Sequence, residues 1–246
     1  MSSKMEQFWK LARPDGFDFY TGKTINYRAN IGKEVVCPKF DKDGKLCTDA
    51  FLHASRKIND CFVGANIPCS VYLVSGDPIA EDKQKCGFGK LAIIEELPPE
   101  TAFDWNYAEA CNPINPFKID PSVITQKQIA LVKKWASVWA SVRASVGDSV
   151  RVSVWVSVGD SVWASVWASV GDSVRASVWA SVWAYIGSLF PLKRSEWKYT
   201  EKIKTKGYPF QPVVDLWKRG LVPSFDGTTW RLHGGPDGKV LWEGKL

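Results

Sequence analysis

"SVWASVWASVGDSVRASVWASVWAYIGSLF", residues 161–190, decides how this chain is read. Ser-Val recurs every four residues, and the pair between is almost always Trp-Ala, Arg-Ala or Gly-Asp. The frame reaches back without a slip to Ser137 and ends at Ala184. The first position is always Ser and the second always Val. The third is Trp, Arg or Gly, and the fourth is Ala, Asp or Val. TGG, CGG and GGG encode the third-position set, and GCN, GAY and GTN the fourth; each set differs at one base. A short DNA unit that expanded by slippage and then drifted gives this spectrum. The third and fourth positions are therefore expected to be exposed, because Trp, Arg and Gly differ too much in volume and charge to share one close-packed interior site.

Three conformations compete. A tight hairpin at each Gly-Asp, after Gly147, Gly159 and Gly171, sets the Val face of one strand beside the Ser/Trp face of the next, a register that regular meanders avoid. A β-solenoid suits Val and tandem copies, but Ser and Val are adjacent and only one can point inward on a straight edge. An α-helix suits Val at i, i+4, and Val178, Val182, Ile186 and Phe190 continue the frame into unique sequence. Its difficulty is drift, about 40° per tetrad at 3.6 residues per turn. Asp is a good N-cap and Gly a good C′ residue, so a break at each Gly-Asp would restart the stripe. The expectation is a repeat that is helical with breaks at Gly-Asp, with the β-solenoid as the alternative. Val and Ser are mediocre helix formers, so such helices need tertiary packing.

Working outward, the chain reads as an α+β protein in three segments. Residues 1–120 form a strand-rich globular domain. "CSVYLVSG" and "KLAIIEEL" are short β-branched runs bounded by turn residues, "DKDG" and "SGDP" are turns, and "TDAFLHASRKIND" is a strand ending in a turn or a short helix. Pro113, Pro116 and Pro121 mark a linker. Residues 121–192 hold a helix, "ITQKQIALVKKW", and the repeat. Residues 193–246 form a basic cap, with a short helix at "QPVVDLWKRG" and a β-hairpin near 230–233 and 239–242.

Composition narrows the function. Hydrophobic residues make up 45% of the chain, enough for a core and against global disorder. No apolar run approaches the ~20 residues that span a bilayer. "MSSKMEQFWKLARPDG" lacks the apolar region of a secretory signal, so a cytoplasmic protein with no membrane partner is expected. The 6 cysteines all lie in the first half without C-x-x-C spacing; buried reduced thiols are expected, with no metal and no cofactor. The net charge of +6 comes from residues 121–134 and 185–246, while Arg143, Arg151 and Arg175 are balanced inside the repeat by Asp148, Asp160 and Asp172.

Three functional readings follow. The leading one is a non-enzymatic interaction or structural protein using the repeat as a scaffold. Trp139, Trp155, Trp163, Trp167 and Trp179 would form an exposed apolar row that self-associates, each tetrad adding to the contact. A second reading takes the same Trp with Arg143, Arg151 and Arg175 as a stacking platform for single-stranded nucleic acid, helped by the basic cap. In the remaining reading, the runner-up to the scaffold, His53 in "FLHAS", with Tyr20 and Glu95 or Glu96, loosely resembles the nucleotide-holding residues of ADP-ribosyltransferase-like folds; that resemblance implies an enzyme with the repeat as spacer. "GFGKL" lacks the spacing of a phosphate loop, and His233 lies in hairpin-turn sequence.

The composite of "LHASRKINDCFVGANIPCSVYLVSG", the SVWASV tetrads, "WAYIGSLFPL" and "FQPVVDLWKRGLVPSFDGTTWRLHGGPDGKVLWEG" resembles uncharacterised hypothetical proteins of metagenomes and phage-like genomes. The resemblance covers nearly the whole chain. It implies a small cytoplasmic protein of a bacterium or its mobile elements with a repeat of variable length, and it brings no activity, substrate or catalytic residue.

Overall fold

Short β-branched and aromatic runs form the sheets of the first half, and the four-residue frame forms the helices of the second. The computed structural model describes residues 6–150, 152–167 and 175–246, with side chains described for all of these but 152–153, 161, 164–167 and 175–177. The chain divides into two units, Met1–Asp104 and Trp105–Leu246.

Among the described residues the first unit has seven strands: β1 (Gln7–Ala12), β2 (Glu34–Val36), β3 (Leu52–Ala54), β4 (Ser70–Ser75), β5 (Ala80–Glu81), β6 (Cys86–Phe88) and β7 (Lys90–Leu97). A short helix, α1 (Pro99–Ala102), follows them. One antiparallel sheet has the order β1-β4-β7-β2, and a smaller one the order β3-β6-β5. "SVYLVS" and "KLAIIEEL" are strands as their composition predicts. Their register shifts where Leu73 faces Glu95 but Val74 faces Ile93, so Ile94 bulges outward and is exposed. Phe8, Ala12, Tyr27, Leu52, Tyr72, Val74, Phe88, Leu91 and Ile93 form the core. Lys10, opposite Tyr72 on β1, shares the strand face of Phe8 and Ala12.

The second unit contains α2 (Tyr107–Cys111), α3 (Gln126–Ala136), α4 (Val142–Ser149), α5 (Val152–Trp167), α6 (Arg175–Ser188) and α7 (Gln211–Trp217). Strands β8 (Val222–Phe225), β9 (Trp230–Gly234) and β10 (Lys239–Gly244) close it as an antiparallel sheet, order β10-β9-β8. The cap therefore holds the expected hairpin and one more strand, "VPSF". Gly220, at φ +69°, supplies the left-handed residue past α7. α3 starts on a capping box in which the Thr125 and Gln128 side chains each bond the other's backbone. Residues 113–121, read as a linker, lie inside this unit; Phe117 is buried there, and a segment can be Pro-rich and still fill a core. No helix among the described residues is long and apolar enough to cross a membrane.

The described part of the repeat is helical, so the β-solenoid alternative is corrected. Val138, Val142, Val146, Val150, Val154, Val158, Val162, Val178 and Val182 are all buried. Of the expected breaks at Gly-Asp, the one at Gly159–Asp160 is corrected, while α4 does end at Ser149, directly after Gly147–Asp148. Gly159 and Asp160 lie inside α5, and neither Gly147 nor Gly159 has a positive φ. The turn after α4 comes at Val150, whose backbone is extended. Gly171–Asp172 lies outside the described residues. From Val154 to Val162 in the unbroken α5 the stripe drifts about 80°, within the ≳100° face that a packed helix buries.

Candidate functional site

Around a helix axis, successive positions of a tetrad are 100° apart. With Val facing the core, Ser and the third position flank it and the fourth points away. Burial follows this geometry. Ala140, Ala144, Asp148, Val156 and Asp160 are exposed fourth-position residues on the single 3-10 turn Trp139–Ser141, α4 and α5. Ala184 is the exception, fully buried because α6 packs on α4, α5, α7 and β8 at once. Ser145, Ser157 and Ser181 are buried beside Val.

The third position is not the exposed row expected. Trp155 stacks on Trp183, with ring centroids 3.7 Å apart and planes inclined 17°. Trp163 stacks on Trp179 at 4.2 Å and 11°. Residue numbers rise along α5 as they fall along α6, so the two helices run antiparallel and the indoles form a seam between them. The Arg143 guanidinium lies 5.8 Å from the Trp183 ring centroid, within cation–π range. Trp139 sits among Phe225 and Trp230, at 6.2 and 6.3 Å. Of these indoles Trp179 is the exposed one, at 42%. Trp167 and Arg175 belong to α5 and α6, but their side chains lie outside the described residues, as does all of Arg151. Beyond the repeat, Tyr185 anchors α6: its ring stacks on Trp217 at 4.9 Å, and its hydroxyl donates to Glu109 Oε1 and accepts from the Ile114 N–H.

In the first unit a cavity of about 370 Å3 opens between the two sheets and the loop 18–25. Ile25, Phe51, Leu52 and Ala54 give it apolar walls, and Lys10, Asp18, His53 and Cys61 supply polar groups. Burial lowers the Lys10 pKa, with Cys61 and Asp18 pulling weakly the other way. Its ammonium lies 5.0 Å from the Tyr27 ring centroid. Burial also pushes the Cys61 thiol up to about 11, so it is protonated near neutrality, and its Sγ donates to the Trp9 carbonyl. Burial pushes Asp18 up too, but bonds from the Thr21 N–H and hydroxyl, both 2.7 Å, and from the Ile25 N–H turn the net shift downward. The His53 pKa is lowered by burial, and its Nε2 is held on the Leu46 carbonyl.

Tyr20 and His53 both line this cavity, Tyr20 at its exposed rim. Glu95 does not line it; it sits exposed on β7, and its neighbour Glu96 forms a two-point ion pair with Arg28. The His-Tyr-Glu set is thus not brought together. Of the cysteines, Cys37, Cys69 and Cys86 are buried, while Cys47 is exposed and Cys61 and Cys111 are half-buried. No group of three His, Cys, Asp or Glu suited to a metal occurs among the described residues. In the second unit, Lys134, Lys202, Lys204 and Lys206 line a groove that also holds Glu201 and Asp215. Comparison of the chain with protein-family profiles, curated proteins and solved structures returned no match.

Sequence reasoning missed Lys10 and Trp183. Lys10 carries a signal: in "QFWKLA" a charge sits on the strand face of Phe8 and Ala12, and a charge at an inward position needs a reason. Trp183 carries none, since its tetrad is identical to its neighbours.

Proposed function

We propose that the protein is a non-enzymatic structural and interaction protein in which the Ser-Val-x-x repeat is the scaffold. The observation that supports this is the antiparallel pairing of Trp155 with Trp183 and Trp163 with Trp179 over a buried Val stripe. The repeat's distinctive chemistry goes into helix packing. The seam has the same tetrads on both sides, so a repeat helix from a second chain presents the same Val face and Trp rim. Self-association by exchange of repeat helices between copies follows as the mode of interaction. It is insensitive to salt, because Arg and Asp balance within the repeat. The six free thiols suit a reducing, cytoplasmic setting.

The lysine groove of the second unit favours a second reading, single-stranded nucleic-acid binding through the basic cap. Sedimentation at low and moderate salt, with and without a single-stranded oligonucleotide, separates the two. A salt-independent oligomer that ignores the oligonucleotide supports the scaffold reading. A monomer that binds it only at low salt replaces that reading with the second. A chain that is monomeric and unbound throughout removes self-association from the proposal.

A further inference from the structure

We propose that the cavity of the first unit binds a small organic carboxylate with an apolar body, its carboxylate on the ammonium of Lys10. The inference rests on which polar groups of the lining are already satisfied. Asp18 takes the Thr21 N–H and hydroxyl at 2.7 Å each. Asp49, at the rim, is paired with Lys39 at 2.7 Å. The two carboxylates of the wall are therefore occupied by groups of the chain itself. Among the described residues, the two lysines have no carboxylate within ion-pair distance. Lys85 Nζ lies 4.0 Å from the Cys47 sulfur and feels the Asp82 carboxylate at longer range. Lys10 lies against the face of Tyr27 and feels Asp18 only at longer range. A half-buried ammonium on an inward strand position, given no hydrogen-bond acceptor by its described neighbours, is well placed to hold an anion in the adjoining space.

The rest of the cavity sets the chemical class. Its size is at the lower end of small-molecule pockets, about 300–1,000 Å3. Ile25, Phe51, Leu52 and Ala54 offer an apolar surface for a hydrocarbon or aromatic body. Of the two ammoniums in the lining, Lys10 stands on the inward strand face of β1, in the same lining as these apolar residues, and there it suits a single negative charge on an apolar body. Phosphate, with up to two charges and four oxygens, would leave acceptors unpaired against apolar walls. Tyr20 and Thr48 stand at the mouth, where a ligand enters.

Calorimetric titration of the full chain tests this with 3-phenylpropionate, its neutral amide and inorganic phosphate as probes. The acid is expected to bind at least about tenfold more tightly than the amide and than phosphate. Lys10→Met is expected to bring the acid down to the affinity of the amide while leaving the amide unchanged, and Lys10→Gln to do the same with a polar side chain. Equal affinity for acid and amide, phosphate binding as tight as the acid, no binding of the acid at millimolar concentration, or unchanged acid affinity in a folded Lys10→Met chain would each overturn the proposal. The acid–amide comparison on the unaltered chain decides it even where both variants fail to fold.

Discussion

The indole of Trp155 lies face to face with that of Trp183, 3.7 Å between centroids, so two third-position residues of the repeat hold α5 and α6 together. The pair has burial and ring stacking to lose. Trp183→Ala is expected to destabilise the chain by about 3 kcal/mol, the range for a largely buried Trp. A double-mutant cycle with Trp155→Ala is expected to give a coupling of about 1 kcal/mol. Chemical denaturation of the four proteins measures both. Additive losses would show that the stack contributes nothing beyond burial.

The tetrad positions should differ sharply in tolerance. Val158 is fully buried in α5, whereas Val156, two residues earlier, is 44% exposed. Val158→Asp is expected to cost several kcal/mol, roughly 3 or more, through an unpaired buried charge. Val156→Asp is expected to stay within about 1 kcal/mol. Equal sensitivity in a urea titration would contradict the orientation of the helix.

Two glycines should respond in opposite directions to Ala. At Gly159 an added methyl meets Ile186 Cδ1 at 3.7 Å and Trp155 Cζ2 at 3.9 Å, ordinary contacts, in a helix interior. Gly159→Ala is expected to raise stability by about 0.5–1 kcal/mol. At Gly187 the methyl collides with the Tyr208 hydroxyl, which is fixed by donating to the Ala184 carbonyl at 2.6 Å, and it approaches Val146 Cγ2 to 3.0 Å. Gly187→Ala is expected to cost about 1–3 kcal/mol. Thermal unfolding of the pair reads the signs directly.

Acid should act through the two histidines. His233 is buried on β9; its Nε2 pairs with the Ser224 hydroxyl at 2.7 Å and its Nδ1 with the Gly238 carbonyl at 2.9 Å. Burial lowers its pKa, as it does that of His53. Both groups bind a proton less readily in the folded chain than in the unfolded one, so the unfolded state takes up more protons as pH falls. The stability that comes from keeping the rings neutral is present above the unfolded pKa of about 6.5 and is lost as pH drops through the folded values. Imidazole proton resonances followed by pH titration should both show midpoints below about 6.5. A midpoint above that value for either ring would reverse the sign.

Much of this was legible locally. β4 and β7 announced themselves by β-branched runs between turns, and the hairpin of β9 and β10 by Gly-Gly-Pro-Asp-Gly. β1 did not, because Lys10 interrupts an apolar run that only its partner β4 completes. The candidate cavity was legible only in part. Tyr20 and His53 were singled out, but Lys10, which lines the same space, was not, because only the pairing of β1 with β4 places it on an inward strand face.

The sequence by itself determined that Val recurs at a near-helical step, and so where the buried stripe falls once a helix forms; that the segment is helix and not solenoid was decided by packing, because Val and Ser are mediocre helix formers. It also determined that the fourth position of α4 and α5 faces away. The tertiary structure alone decided that Gly159 continues a helix and that third-position Trp residues face one another. Helix termini and ring stacks depend on which neighbour is present, and identical tetrads offer many equivalent registers. The single register observed is selected by the unique residues at the exit of the repeat: Tyr185 stacked on Trp217 and bonded to Glu109, and Gly187 closed against Tyr208. Those contacts cost the chain its freedom to slide, and nothing in a repeat of identical units can encode them.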